Sequence, residues 1–159
     1  INVIKRLVIE HSNIIGIKNT YENFVYMKDL VSEIKSIRRD FSVLTGVDEM
    51  ILPTLLLGGD GGIAALANVI PRIYRELYDA WIDQRINEAI EKYRYVIELS
   101  KVYRITSLYP VAIKTMLYLM GAPIEPLSRE PLYRESEEVV EKLREFLMRQ
   151  GLYQVLKRE

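Results

Sequence analysis

Lys18 ends an apolar run of the sequence, Asn-Ile-Ile-Gly-Ile-Lys, which begins at Asn13. A lysine at the end of a buried strand lies between a low-dielectric interior and a cleft, and desolvation there lowers the pKa of the amine. Because an uncharged amine attacks carbonyl carbons, Lys18 is a candidate Schiff-base lysine. The same position also suits a lysine that merely caps a strand with a solvated side chain, and this segment alone leaves both interpretations open.

Two adjacent carboxylates, Asp48 and Glu49, follow the second strand pattern, and Gly46 stands just before them. Adjacent acids suit the first turn of a helix, whose dipole favours negative charge. They could equally accept hydrogen bonds from the hydroxyl groups of a polyol substrate at the mouth of a barrel. Thr20 is likewise ambiguous between turn chemistry and a ligand contact.

A glycine-rich segment, Gly-Gly-Asp-Gly-Gly, begins at Gly58. Read from Gly59, it matches the Gly-x-Gly-x-x-Ala form of a dinucleotide-binding motif, but such a motif follows a strand and opens a helix. Here the segment follows a helical pattern and leads into a short apolar stretch at residues 63–65. It is therefore predicted to be a tight helix-to-strand turn with positive φ angles.

The elements that must position these residues change in kind along the chain. Strands are predicted at residues 14–18, 41–46 and 63–65, with helices at 2–11, 22–38 and within 48–57. From Asn68 onward the pattern is helical, with starts near Pro71, after Asp83 as a cap, near Pro110 and after Ser136. The tyrosines at helical positions are predicted to serve packing and interfaces. Strands alternating with helices favour a parallel sheet or barrel.

Composition argues against several classes of function. The formal net charge is zero, so nothing indicates nucleic acid or an anionic membrane as a partner. The sequence has no cysteine and one histidine, which leaves little for a metal site and fits a reducing compartment such as the cytoplasm. The longest apolar runs are too short to span a bilayer. No metal and no cofactor is expected, and the start at Ile1, inside a helical pattern, suggests a fragment.

Taken together, these segments resemble the dihydrodipicolinate synthase / N-acetylneuraminate lyase (DapA-like) family of class I pyruvate aldolases. Gly-Ile-Lys ending at Lys18 is similar to the family's sixth-strand Gly-[Ile/Val]-Lys, whose lysine forms a Schiff base with pyruvate. The second strand pattern with its acidic pair resembles strand seven, and residues 58–63 resemble strand eight. Tyr-Pro-Val-Ala-Ile-Lys from Tyr109, with Gly121, resembles the C-terminal helical region. The resemblance covers essentially the whole chain, in order.

The resemblance implies an α/β fold, the (β/α)8 TIM barrel, with strands six to eight at residues 1–82 and a C-terminal helical extension at 83–159. It implies a catalytic Lys18 and substrate contacts from Thr20, Gly46, Asp48, Glu49 and Ile63. The family's Tyr-Asn-x-Pro motif, whose tyrosine relays protons, and its Thr-Thr pair for the pyruvate carboxylate are not in this sequence. Since three strands cannot close a barrel, this polypeptide alone is expected to be inactive unless the missing half accompanies it. A tetramer is implied.

Motifs within the family indicate sugar acids as substrates. Lys-Asn-Thr-Tyr-Glu-Asn from Lys18 resembles the Lys-Asp-Thr-x-Glu-Asn of archaeal 2-keto-3-deoxygluconate aldolases, from which Asn19 departs. Asp-Gly-Gly-Ile from Asp60 resembles the sialic-acid lyase version, although Ala65 stands where that lyase has serine. The expected reaction joins pyruvate to an aldehyde, or cleaves the 2-keto-3-deoxy sugar acid so formed. The alternatives are dihydrodipicolinate synthase, which condenses pyruvate with aspartate semialdehyde, and a non-catalytic family member.

Overall fold

The computed structural model describes residues 1–106 and 108–157. Three strands form one parallel sheet in the order in which they occur, β1 (Gly16–Asn19), β2 (Ser42–Thr45) and β3 (Gly61–Gly62). The helices are α1 (Asn2–Glu10), α2 (Phe24–Ile37), α3 (Ile51–Leu56), α4 (Pro71–Ile82), α5 (Ile86–Ser100), α6 (Tyr109–Met120) and α7 (Glu137–Arg149). Single 3-10 turns lie at Asp48–Met50, Leu66–Asn68, Lys101–Arg104 and Val155–Lys157. The predicted α/β alternation followed by helices is present.

Local signals explain where several helices begin and end. Asn23 caps α2, and its side chain accepts a hydrogen bond from the backbone N–H of Tyr26 at 2.9 Å. Pro71 occupies the first turn of α4, where a backbone N–H would have no acceptor within the helix, so its absence in proline costs no hydrogen bond. Ser136 caps α7 as predicted, and α6 ends at Gly121 with a φ of 101°.

Two apolar cores hold the elements together. The first packs α1 and α2 against the sheet through Val8, Met27, Leu30, Val31, Ile34, Phe41 and Val43. The second joins α3 and α4 to the later helices, with Leu77, Val96, Leu99, Met116, Leu143 and Leu147 fully buried. This second core spans the predicted junction at residues 82 and 83, so the helical region is packed directly onto the part that carries the sheet. The predicted helical region, 83–159, includes three positions (107, 158 and 159) that lie outside the described residues.

The prediction of a fully buried strand at residues 14–18 is wrong in extent and in burial. β1 begins at Gly16, Ile15 before it is 75% exposed, and Lys18 is exposed. In the described part of the chain β1 pairs only with β2, so its other edge has no neighbouring strand. An apolar run shows which side chains favour burial, but the surrounding elements decide whether they are buried.

Two further sequence predictions are corrected by the structure. The third strand consists of Gly61 and Gly62, not of residues 63–65, because Asp60 fixes the chain against β2 just before them. Asp83 does not cap α5; it is the C-terminal cap residue of α4, and its carboxylate pairs with Arg85 at 3.0 Å. The turn at residues 58–62 has the expected positive φ angles, 89° at Gly58 and 139° at Gly61.

Asp60 ties α2 to the sheet, and we expect Asp60→Ala to lower the free energy of unfolding by about 2 kcal/mol. Its carboxylate accepts from the backbone N–H of Val43 at 2.7 Å and pairs with the ammonium of Lys35 at 2.7 Å. The substitution leaves both donors without their charged acceptor. Urea unfolding followed by circular dichroism measures the effect, with Asp83→Ala as the control for an exposed carboxylate. Equal unfolding midpoints for the two variants would contradict the prediction.

Candidate active site

The carboxyl ends of the three strands meet at one edge of the sheet. In the parallel register Asn19 lies opposite Thr45, and Thr45 lies opposite Gly62. The alignment continues one residue further, because the N–H of Gly46 donates to the carbonyl of Asn19 at 2.7 Å and that of Ile63 to Thr45 at 2.8 Å. The residues that follow the strands are therefore neighbours.

Lys18, Thr20 and Gly46 are in close contact. A methyl group added at Gly46 would lie 2.5 Å from Cε of Lys18 and 3.0 Å from Cβ of Thr20, closer than real Cβ atoms approach other atoms. Only glycine leaves room here for both side chains. Lys18 and Thr20 are alternate residues along the strand direction and so share one face. The sequence predicts that the amine of Lys18 is withdrawn from water. In the described residues it is not, because the Lys18 side chain is exposed.

A cavity of about 820 Å³ opens above these residues. All the predicted site residues line it: Lys18, Thr20, Gly46, Asp48, Glu49 and Ile63. The opposite wall comes largely from the helical region, through Ile97, Lys101, Tyr103, Arg104 and Tyr109. No local motif in the sequence predicts this wall, because the packing of helices brings it to the sheet.

Asp48 lies beneath the cavity surface and is only 3% exposed. Its carboxylate accepts hydrogen bonds from the hydroxyl of Tyr103 at 2.8 Å, from the backbone N–H of Leu66 at 3.2 Å, and from the hydroxyl of Tyr74. Burial raises the pKa of the Asp48 carboxyl, and the three donors offset part of that rise. Asp48 also starts a 3-10 turn, which agrees with a helix-start role. Its contact with substrate hydroxyls stays a prediction.

Three tyrosines, on α4, on α5 and on the 3-10 turn after α5, hold this acidic segment. Burial, and then the negative charge of Asp48, raise the pKa of both Tyr74 and Tyr103, so both hydroxyls remain protonated donors at neutral pH. The hydroxyl of Tyr93 donates to the backbone carbonyl of Glu49 at 2.5 Å. From the sequence, these tyrosines are predicted to serve packing and interfaces. A buried hydroxyl needs a partner, but the sequence does not reveal which one.

The rim of the cavity is closed on one side by a contact between the two walls. The hydroxyl of Tyr109 donates to Glu22 at 3.3 Å, and its ring meets that of Tyr103 edge to face with centroids 4.5 Å apart. Glu22 follows β1, whereas Tyr109 begins α6. The loop after β1 is therefore tied to the helical region across the cavity mouth.

The described residues form neither a cluster of metal ligands nor a membrane-spanning helix. Within residues 1–106 and 108–157, no three His, Cys, Asp or Glu side chains are grouped so as to hold a metal ion. In the same part of the chain, every helix falls short of the length and hydropathy that crossing a bilayer requires.

Comparison with known proteins identifies close relatives. The model of the dihydrodipicolinate synthetase family matches residues 1–150. The chain is 46% identical over 143 residues to an "Uncharacterized DapA-like lyase" of Thermofilum pendens, covering 90% of this chain and 48% of that protein. It is 32% identical over 152 residues to "Probable 2-dehydro-3-deoxy-D-pentonate aldolase YjhH" of Escherichia coli, covering 96% of this chain and 50% of YjhH.

A solved structure shows the same fold. YagE of Escherichia coli, a prophage protein of the dihydrodipicolinic acid synthase family crystallised with pyruvate, superposes with a TM-score of 0.89. The two are 29% identical, and the match covers 95% of this chain and 51% of YagE. The chain thus spans about half the length of the relatives it matches.

Proposed function

This chain belongs to the dihydrodipicolinate synthetase family, and from that premise we propose that it carries the Schiff-base lysine of a pyruvate-dependent aldolase. The reaction joins pyruvate to an aldehyde to form a 2-keto-3-deoxy sugar acid, or cleaves such an acid into pyruvate and an aldehyde. One observation carries the proposal. Lys18 lines an open cavity at the carboxyl edge of a parallel sheet, where it is packed beside Gly46 and Thr20 and shares the cavity with Glu49.

The proposed chemistry begins with the amine of Lys18. Its nitrogen adds to the ketone carbon of the keto acid, and loss of water leaves a protonated imine. The bond between C3 and C4 of the sugar acid, with the imine at C2, then breaks: the C4 hydroxyl gives its proton to a base, the aldehyde leaves, and the electron pair of the bond passes to the imine to leave an enamine. The family resemblance assigns that proton transfer to the tyrosine of the Tyr-Asn-x-Pro motif, which is not in this sequence. Protonation of the enamine and hydrolysis then return pyruvate and free lysine. Synthesis follows the same steps in reverse.

The other cavity residues have proposed binding roles. Thr20 and Glu49 hold the hydroxyl groups of the aldehyde portion, and Asp48 belongs to the same acidic pair. Gly46 lets the imine and the backbone approach closely, and the backbone at Ile63 orients the pyruvyl carboxylate. Two relatives support this division of the substrate: YjhH, named "Probable 2-dehydro-3-deoxy-D-pentonate aldolase", and YagE, crystallised in complex with pyruvate.

The remaining parts of the proposal concern the whole protein. We propose that β1, β2 and β3 are strands six to eight of a (β/α)8 barrel, which needs further strands to close and to cover Lys18. The span of about half of each relative supports this placement. The proposed active form is a cytoplasmic homo-oligomer, as the family resemblance implies.

The test uses a completed barrel, which we define as this chain joined to the part of the Thermofilum pendens relative that it does not cover. Incubation with pyruvate and sodium borohydride is expected to place a reduced pyruvate adduct on Lys18, located by peptide mass mapping. A sample with borohydride but no pyruvate is the control. Absence of an adduct at Lys18 would remove the proposed mechanism and favour a non-catalytic family member.

Comparing aldehydes distinguishes the proposed substrate class from the alternative. With pyruvate, glyceraldehyde is expected to be consumed faster than aspartate semialdehyde, because Thr20 and Glu49 offer hydrogen-bonding groups for hydroxyls. Faster use of aspartate semialdehyde would instead indicate dihydrodipicolinate synthase.

A further inference from the structure

The acidic pair at the cavity is held from behind by α4, α5 and the 3-10 turn after α5. Tyr74 on α4 and Tyr103 on the 3-10 turn after α5 both donate to the carboxylate of Asp48. Tyr93 on α5 donates to the backbone carbonyl of Glu49. Donors from separate helical elements thus converge on two consecutive residues.

This convergence restrains the backbone at Glu49. The side chain of Asp48 and the backbone carbonyl of Glu49 are both held by tyrosine hydroxyls, so the backbone between these two anchors cannot turn freely. The carboxylate of Glu49 lines the cavity and, among the described residues, makes no hydrogen bond or ion pair. A half-buried carboxylate without a partner has its acceptor oxygens available to a ligand.

We propose that Tyr74, Tyr93 and Tyr103 are positioning residues that aim Glu49 at the hydroxyl groups of the aldehyde, and so set the preference for polyol substrates. The inference rests on the proposed function. It adds that different elements bind the two halves of the substrate. The sheet, through Lys18, binds pyruvate, whereas α4, α5 and the turn after α5, through these hydroxyls, select the aldehyde. Plain packing would not require buried hydroxyls to converge on one acidic segment.

The substitution Tyr103→Phe separates the contribution of the hydroxyl group from that of the aromatic ring. Phenylalanine keeps the edge-to-face contact with Tyr109 and removes only the hydrogen bond to Asp48. In the completed barrel we expect the KM for glyceraldehyde to rise about tenfold, the effect of losing one hydrogen bond to a charged group. The yield of the borohydride-trapped pyruvate adduct at Lys18 should stay unchanged. Tyr74→Phe and Asp48→Asn are expected to act in the same direction.

Tyr95→Phe is the matched control. Tyr95 lies on α5 and packs against the same core, but its hydroxyl has no hydrogen-bond partner among the described residues. Neither the KM nor the trapping should change in this variant.

Each outcome decides the matter. If Tyr103→Phe and Tyr74→Phe behave like Tyr95→Phe, the positioning role is wrong. If KM and trapping worsen together with a lowered melting temperature, the tyrosines are only structural. If the completed barrel without substitutions traps no pyruvate, the proposed function itself is wrong. This result is obtained before any tyrosine variant is measured, so the two failures can be told apart.

Discussion

Lys18→Arg in the completed barrel is expected to abolish the trapped pyruvate adduct and to lower the rate of aldol cleavage on the order of 10⁴-fold or more, the scale of loss when a covalent nucleophile is removed. Arginine keeps the positive charge, but its guanidinium stays protonated and forms no imine. The side chain of residue 18 extends into the cavity, which has room for the larger head group of arginine. The fold should therefore be retained.

Two measurements check this prediction. Pyruvate release from a 2-keto-3-deoxy sugar acid reports the rate, and mass mapping after borohydride reduction reports the adduct. Lys142→Arg, on the exposed surface of α7, is the control and should leave both unchanged. An adduct that persists in Lys18→Arg would assign the imine to another lysine.

Gly46→Ala is expected to lower the rate about 100-fold while the protein stays folded. The added methyl would lie 2.5 Å from Cε of Lys18 and still closer to Oγ1 of Thr20, so both side chains must move. A displacement of about 1 Å at reacting atoms costs about 100-fold in rate. The loss should appear in imine trapping as well as in aldehyde turnover, because Lys18 itself is displaced.

The control for Gly46→Ala is a glycine at which an added methyl group meets no neighbouring atom but the backbone conformation is unfavourable for other residues. Gly151 has a φ of 70° and open space around it, so Gly151→Ala strains the backbone without touching the cavity. Its unfolding midpoint should fall while its activity remains. Full activity in Gly46→Ala would contradict the close approach of Lys18 and Thr20 to the glycine.

The fold was predictable wherever short-range signals decide it. The apolar rhythm of α2, the proline that starts α4 and the serine that caps α7 act within a few residues, and each is found as predicted. Burial of β1 was not predictable, because it depends on which strands flank it. The cap at Asp83 failed for a similar reason, since α4 continues up to that residue and α5 starts only at Ile86.

The candidate site was predictable on its sheet side only. Parallel strands bring their carboxyl ends to one edge, so residues that follow separate strand patterns were expected to meet there. The helical wall could not be foreseen in the same way. Tyr103 stands 55 residues from Asp48 in sequence, and only the packing of α4 and α5 brings them together. The binding roles of Thr20, Gly46, Asp48, Glu49 and Ile63 remain predictions.

Among residues 1–106 and 108–157, one edge of β1 has no partner strand, and this gives the charge of Lys18 a second consequence. An open strand edge invites edge-to-edge pairing with other chains, and proteins counter this with charged side chains on such strands. Lys18 is the charged residue of β1, and its exposed ammonium would repel the same residue of a second copy. The proposed nucleophile is thereby also expected to discourage aggregation of the chain through this edge.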